Sequence, residues 1–202
     1  MSGNRWADTV AGHRARQRDQ ILDSALGLLG QRGMAGLTMS ALAQAAGTSR
    51  ATLYHYFSDV DAVLVAWVGR EVERSVHDLV AEASRIADPV QRLTHLVEAQ
   101  CHAFASQSHR LGAEHFESEA VSPAVRGEVS VRMAPLRELL AQTVAEGAAC
   151  GALTSALDPQ LAADLLLGIL GALRRHLVTG DLAPHAAATT AMALLRRGWI
   201  SK

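Results

Sequence analysis

Cysteine is almost missing from this chain. Cys101 and Cys150 are lone and widely spaced, so there is no disulfide framework, and the expected state is two free, buried, unreactive thiols. Long apolar runs are missing too. No segment reaches the roughly 18 uncharged apolar residues of a spanning helix, and the first dozen residues carry Arg5 and Asp8 but no apolar stretch of the kind that directs export. The expectation is a cytoplasmic protein with no membrane contact. Proline is scarce, 5 in 202 residues, and the 16 glycines are few enough to leave room for uninterrupted helix; no convincing strand pattern occurs. Catalytic signatures are absent as well: no His-Glu-x-x-His pair, no glycine-rich phosphate loop, no Ser-x-x-Lys and no Gly-x-Ser-x-Gly elbow. Nothing asks for an enzyme, a cofactor or a bound metal.

Charge of either sign is also in short supply, with a formal net charge of -1, which would ordinarily argue against a nucleic-acid partner. The distribution says more than the total. Residues 1–60 hold six arginines against four aspartates, while the remainder holds 13 basic and 16 acidic groups, so a mildly basic head precedes an acidic body. At 49% hydrophobic content the chain can bury a sizeable core as one compact unit with two subdomains.

What is present is helix after helix. The pattern predicts helices near 14–30, 38–45, 49–56, 60–86, 89–107, 109–120, 123–149, 159–179 and 184–198. Pro89, Pro123, Pro159 and Pro184 each follow a break, where a missing amide costs little, and Gly147, Gly151 and Gly180 are expected to mark helix ends. The most informative stretch is Thr38 to Phe57. Thr38 stands as an N-cap, Leu42, Ala45 and Ala46 follow at helical spacing, Gly47 supplies a left-handed stop, and Ser49 caps a second short helix through Tyr56. Such a pair is a helix-turn-helix, the device that lays a helix into a major groove. Leu53 and Phe57 would face inward, leaving Arg50, Thr52, Tyr54 and His55 on other faces, with Ala51 small enough for close approach. Each of these polar groups could equally belong to an ordinary solvated face. Together, as a guanidinium, hydroxyls and an imidazole, they suit phosphates and base edges.

Residues 14–70 resemble the N-terminal domain of the tetracycline-repressor (TetR) family of bacterial transcription regulators. The resemblance is carried by Ile21, Ala25 and Leu29 on a first helix, Gly33, Thr38, Ala43, Gly47, Ser49, the run Leu53-Tyr54-His55-Tyr56-Phe57, and a helix starting near Asp59. It implies that Thr38, Arg50, Thr52, Tyr54 and His55 touch DNA, and with the cap Ser49 these are the candidate contacts. Thr48 departs from the valine common in the family, and Val60 stands where many members have a phosphate-binding lysine. The expected fold is therefore all-α: a flexible arm over 1–13, a helix-turn-helix domain over 14–59, and a ligand-binding and dimerisation domain over 60–202.

In the body, Leu161, Leu165, Ile169 and Leu173 form one stripe while Leu166, Leu167 and Leu170 lie round the side, so this helix must be covered on two sides. The last helix is rich in small residues that permit close approach. The cover could come from the same chain or from a second copy; the resemblance implies the latter, giving a dimer interface of Leu161, Leu165, Ile169, Leu173, Met192, Leu195 and Trp199. Between head and interface, His95, His102 and His109 recur every seven residues, with Glu98 and the cluster Glu114 to Glu119 nearby. Histidines seven apart are about 10.5 Å apart along a helix, too far to share one ion. A pocket of His102, Phe104, His109 and Phe116 for a small-molecule effector is the functional alternative. The expected protein is a homodimeric regulator of the repressor kind that binds a palindromic double-stranded operator and is released by an effector. The competing class is a helical interaction protein that has lost DNA binding, a reading that Val60 favours.

Overall fold

The computed structural model describes residues 3–106 and 123–199, and among these the chain is all helix with no strand. The elements are α1 (Gly3–Gly36), α2 (Met39–Ala45), α3 (Arg50–Tyr56), α4 (Val60–Ala83), α5 (Pro89–Phe104), α6 (Pro123–Arg132), α7 (Ala134–Ala149), α8 (Pro159–Thr179) and α9 (Pro184–Gly198). The helix expected over 109–120 lies outside the described residues, together with His109 and Phe116.

Three expectations about helix bounds change. The first helix is continuous from Gly3 across the stretch expected as a loose arm, since no proline or capping group interrupts it, and it breaks only at Gly33, where φ is 63°. The single helix expected over 123–149 is divided at Met133. Pro135 has no amide to give the preceding turn, and its ring crowds the carbonyl four residues back, so it sits at the start of α7 instead of inside a longer helix. Gly147 is not a helix end but lies within α7. A Cβ there would stand 2.6 Å from Leu153 Cγ, and the missing side chain lets Leu153 pack down while its amide donates to the Gly147 carbonyl at 2.9 Å.

The chain divides into two compact units, with the division inside α4 between Arg70 and Glu71. The N-terminal unit buries Ile21, Leu22, Ala25 and Leu29 of α1, Leu42, Ala43 and Ala46 at α2, Leu53 and Phe57 at α3, and Val63, Leu64 and Trp67 of α4. Ala43, not Ala45, joins Leu42 and Ala46 in the core, because positions 39, 42, 43 and 46 share one helical face. Arg70 closes the unit, its Nη2 donating to Asp23 Oδ1 at 2.6 Å and its Nη1 to Asp19 Oδ1 at 3.4 Å.

The C-terminal unit is a helical assembly around Leu93, Leu96 and Val97 of α5, Leu136 and Leu140 of α7, Leu166, Leu170 and Leu177 of α8, and Ala187, Ala188, Ala191, Met192 and Leu195 of α9. The alanines of α9 allow the close helix approach that the sequence implied, and the neighbour they approach is α5. Arg92, 7% exposed, fastens the turn after α4 to α7: Nε donates to the Ile86 carbonyl at 2.8 Å and Nη1 to Glu146 Oε2 at 2.6 Å. Cys101 is buried as expected, but Cys150 is exposed because it caps α7 at the surface.

Candidate nucleic-acid interface

The turn between α2 and α3 is built by its end groups. Thr38 Oγ1 accepts from the Ala41 amide at 3.1 Å and starts α2. At the other end Gly47 has φ 62°, with the Gly47 amide donating to the Gln44 carbonyl and the Thr48 amide to the Ala43 carbonyl, the paired bonds of a Schellman stop. Ser49 then restarts the chain: its Oγ accepts from the Thr52 amide at 3.0 Å and lies 2.8 Å from Thr52 Oγ1. Helices of seven residues cannot hold themselves in water, so caps and the buried Leu42 and Leu53 fix their crossing.

This geometry sorts the six candidate contacts. Arg50 and His55 are exposed, and Tyr54 is 48% exposed, so α3 presents a guanidinium, a phenol and an imidazole together. Thr38 and Ser49 are exposed but use their hydroxyl oxygens as caps, and the Ser49 hydroxyl is also engaged with that of Thr52. Thr52 is half-buried and its hydroxyl is engaged with Ser49, which makes it the most internally committed of the set. Asp59 caps α4 by accepting from the Ala62 amide at 2.8 Å, and that bond, with one from the Ser58 hydroxyl, holds its carboxyl below the usual range. Here, beside Val60, the surface carries a negative cap and no cation from α4.

Arg14, Gln17 and Arg18 of α1 were not singled out from sequence, yet each meets a residue at the end of α3. Arg14 Nη2 is 3.1 Å from His55 Nε2, the Tyr56 hydroxyl donates to Gln17 Oε1 at 3.4 Å, and the Arg18 guanidinium carbon lies 5.4 Å from the Phe57 ring centroid. Their spacing of three and four was the available signal.

Comparison with known proteins places this arrangement. The model of bacterial regulatory proteins, tetR family, matches residues 21–66, and that of the tetracyclin repressor-like C-terminal domain matches residues 87–199. The chain belongs to the TetR family. An uncharacterised HTH-type transcriptional regulator of Mycobacterium tuberculosis is 38% identical over 93 residues, 46% of this chain and 45% of that protein. The match thus spans less than half of that relative's length. The HTH-type transcriptional regulator BetI of Rhizobium meliloti is 28% identical over 147 residues, covering 66% of this chain and 72% of BetI. Among solved structures, a TetR transcription regulator from Haloarcula marismortui superposes with a TM-score of 0.78 at 22% identity, covering 92% of this chain and 99% of its own. A regulator from Saccharomonospora viridis in complex with choline gives 0.76 at 22% identity, covering 93% and 100%. At these identities the structures establish the shared fold.

Within the TetR C-terminal domain, the expected interface residues separate into two groups. Leu161 and Leu165 are 58% and 52% exposed, and Leu194 on α9 is 59% exposed, while Ile169 and Leu173 are half-buried. Met192 and Leu195 depart from expectation: at 6% and 2% exposure they are core of their own protomer, because they lie on the α9 face that carries Ala188 and Ala191 toward α5. Trp199 is half-buried against the same core. Of the expected pocket residues, His102 is exposed and Phe104 is half-buried against the core, whereas His109 and Phe116 lie outside the described residues. Gln100, in register with the apolar positions of α5, is buried and was overlooked because its neighbours read as plain core. A shallow groove of about 290 Å³ lies elsewhere, between Thr94 and Glu98 of α5 and Thr189 and Arg196 of α9. Among the described residues no three His, Cys, Asp or Glu side chains are close enough to hold an ion, and no helix is long and apolar enough to cross a membrane.

Proposed function

We propose that this chain is a transcriptional regulator that binds double-stranded DNA as a homodimer, acts as a repressor in the cytoplasm, and is released by a small-molecule effector. The observation that carries the reading is the doubly capped α2–α3 pair with Arg50, Tyr54 and His55 exposed together on α3. The names of the M. tuberculosis and R. meliloti relatives support it. In the functional division we adopt, residues 14–59 form the DNA-binding head and 60–202 the body. Leu161, Leu165 and Leu194, with Ile169 and Leu173 beside them, supply the apolar face that a second copy covers about a twofold axis. A twofold dimer reads a palindrome, with its two recognition helices about 34–36 Å apart.

The effector acts from the body near the end of α5, where Gln100 and Phe104 offer a polar and an apolar handle. It binds best to the dimer conformation whose heads do not match the half-sites, and so draws the population off DNA. Taking such a switch from 1:99 to 99:1 needs about 5.5 kcal/mol of differential binding. By linkage, saturating operator weakens effector binding by the same factor.

Binding to the duplex immediately upstream of the encoding gene tests the reading. Arg50→Ala is expected to cost about 1–3 kcal/mol there, selectively if the guanidinium reads a base, and equally on a scrambled duplex if it holds phosphate. Unchanged affinity for both would remove Arg50 from the interface. A wild-type protein that binds neither duplex would favour the second reading, a helical interaction protein without DNA binding, for which Val60 beside the acidic cap Asp59 is the motivating observation.

A further inference from the structure

The contact between α1 and the end of α3 contains more than packing. Gln17 accepts from the hydroxyl of Tyr56 and Arg18 lies over the ring of Phe57, residues that are half-buried and buried. Arg14 is different: it joins His55 where both side chains are exposed, and an exposed arginine gains little stability from any partner. The pairing matters instead for what it does to the imidazole.

A guanidinium carries only donors. In the 3.1 Å hydrogen bond from Arg14 Nη2, His55 Nε2 is therefore the acceptor, which leaves Nδ1 as the ring nitrogen that donates. The ring also stands edge-on to Tyr56, centroids 5.7 Å apart and planes at 84°. One nitrogen is thus assigned and the plane is supported from within the N-terminal unit. We propose that Arg14 is a positioning residue for DNA binding: by donating to Nε2 it holds His55 in the Nδ1–H tautomer and aims that N–H at a phosphate oxygen of the duplex. This rests on α3 being the DNA-binding helix. Without Arg14 nothing holds Nε2 as the acceptor, so the ring is free to turn or to carry its proton on the other nitrogen, and the donor at Nδ1 is no longer fixed toward the phosphate. Phosphate, not a base, is the fitting partner, because His55 lies in the last turn of α3 while the N-terminal residues of a recognition helix contact base edges.

The test uses the full chain with two duplexes, the region immediately upstream of its gene and a scrambled sequence of equal length. Arg14→Met is expected to weaken both about tenfold, since a phosphate contact carries no sequence information and a lost charge-assisted bond is worth roughly that factor. Arg14→Lys keeps a donor and should restore most of the affinity. In a His55→Ala background, Arg14→Met should add little, because its effect passes through the ring. Nitrogen-15 spectra of the imidazole should show protonated Nδ1 and bare Nε2 in the wild type and lose that single pattern in Arg14→Met. An unchanged pattern, affinity insensitive to Arg14→Met, or additive losses in the double variant would each overturn the positioning role while leaving DNA binding intact. A wild-type chain that binds neither duplex would overturn the DNA reading and this inference with it.

Discussion

The two units of this chain solve the same problem, how to fix a helix, with different means. In the N-terminal unit α2 and α3 have seven residues each, and particular groups set both ends of α2 and the start of α3, Thr38, Gly47 and Ser49, as Asp59 sets the start of α4. In the C-terminal unit α5, α7, α8 and α9 run from 15 to 21 residues and are held by broad leucine and alanine faces. A short helix contributes too little burial to choose its own place, so its caps must be correct. A long one is placed by area, a requirement that many side-chain combinations satisfy. End groups mark helices in both units, Asp88, Asp158 and Gly180 among them in the body, but only in the head do they decide where a helix lies.

The largest expected effect that probes this contrast is a core truncation in each unit. Leu53 and Leu166 are both fully buried, and replacing either by alanine should cost about 2–5 kcal/mol. The outcomes should differ. Leu53→Ala removes the core anchor of a seven-residue helix, so DNA binding should vanish while most helical circular dichroism and the dimer persist. Leu166→Ala should lower the melting temperature of the bulk of the helix signal and leave a cavity among residues that can partly close round it. If Leu53→Ala melted the whole chain in one step with Leu166→Ala, the independence of the two units would be lost.

A smaller effect separates covered from uncovered apolar surface inside the body. Leu165 is half exposed and Leu166, its neighbour in sequence, is not exposed at all. A charge at Leu165 leaves the protomer intact but would be desolvated in the proposed interface, so Leu165→Glu should weaken dimerisation by about 2 kcal/mol, some thirtyfold. Sedimentation equilibrium reads this directly, and operator affinity should fall in step. A wild-type chain that is monomeric at micromolar concentration would remove the dimer from the proposal altogether.

The same contrast explains what was legible beforehand. Thr38, Gly47 and Ser49 could be read because a cap or a left-handed residue is a local demand that few side chains meet. The inward Leu53 and Phe57 followed from spacing alone. Pro135 was legible too, since a proline within an apolar run is a break wherever it falls, and the expected helix over 123–149 ignored it. Gly147 was not: it looks like a helix end, and only the approach of Leu153 shows that it is a packing glycine. Met192 and Leu195 share the apolar character of Leu194, and periodicity could not say which side of α9 meets α5 and which meets solvent. The pair Arg14 and His55 is separated by 41 residues, so no local rule connects it.

The smallest effect concerns how each unit uses a carboxylate. Glu146 accepts from Arg92 Nη1 at 2.6 Å and from Gln142 Nε2 at 2.7 Å, and those bonds, Arg92's first, hold its carboxyl below the usual range. A carboxyl whose folded value is depressed contributes stability that is complete above its unfolded value and is lost as pH falls through the folded one. The body should therefore be indifferent to this pair from neutrality down to about pH 5 and lose its contribution below about pH 4. Because the Glu146 side chain is 41% exposed, solvent screens the pair and the amount is about 1 kcal/mol or less. Protonation nonetheless leaves Arg92 with its charge nearly buried, so the direction is firm. Glu146→Gln should flatten the acid limb of the body's stability curve, measured by urea melts across pH. Asp59 in the head is also depressed, by the Ala62 amide first and the Ser58 hydroxyl second, but asparagine caps a helix as well as aspartate does. Asp59→Asn should therefore alter the head's acid response less than Glu146→Gln alters the body's, and the reverse order would mean that the Arg92 clasp does not hold the body together.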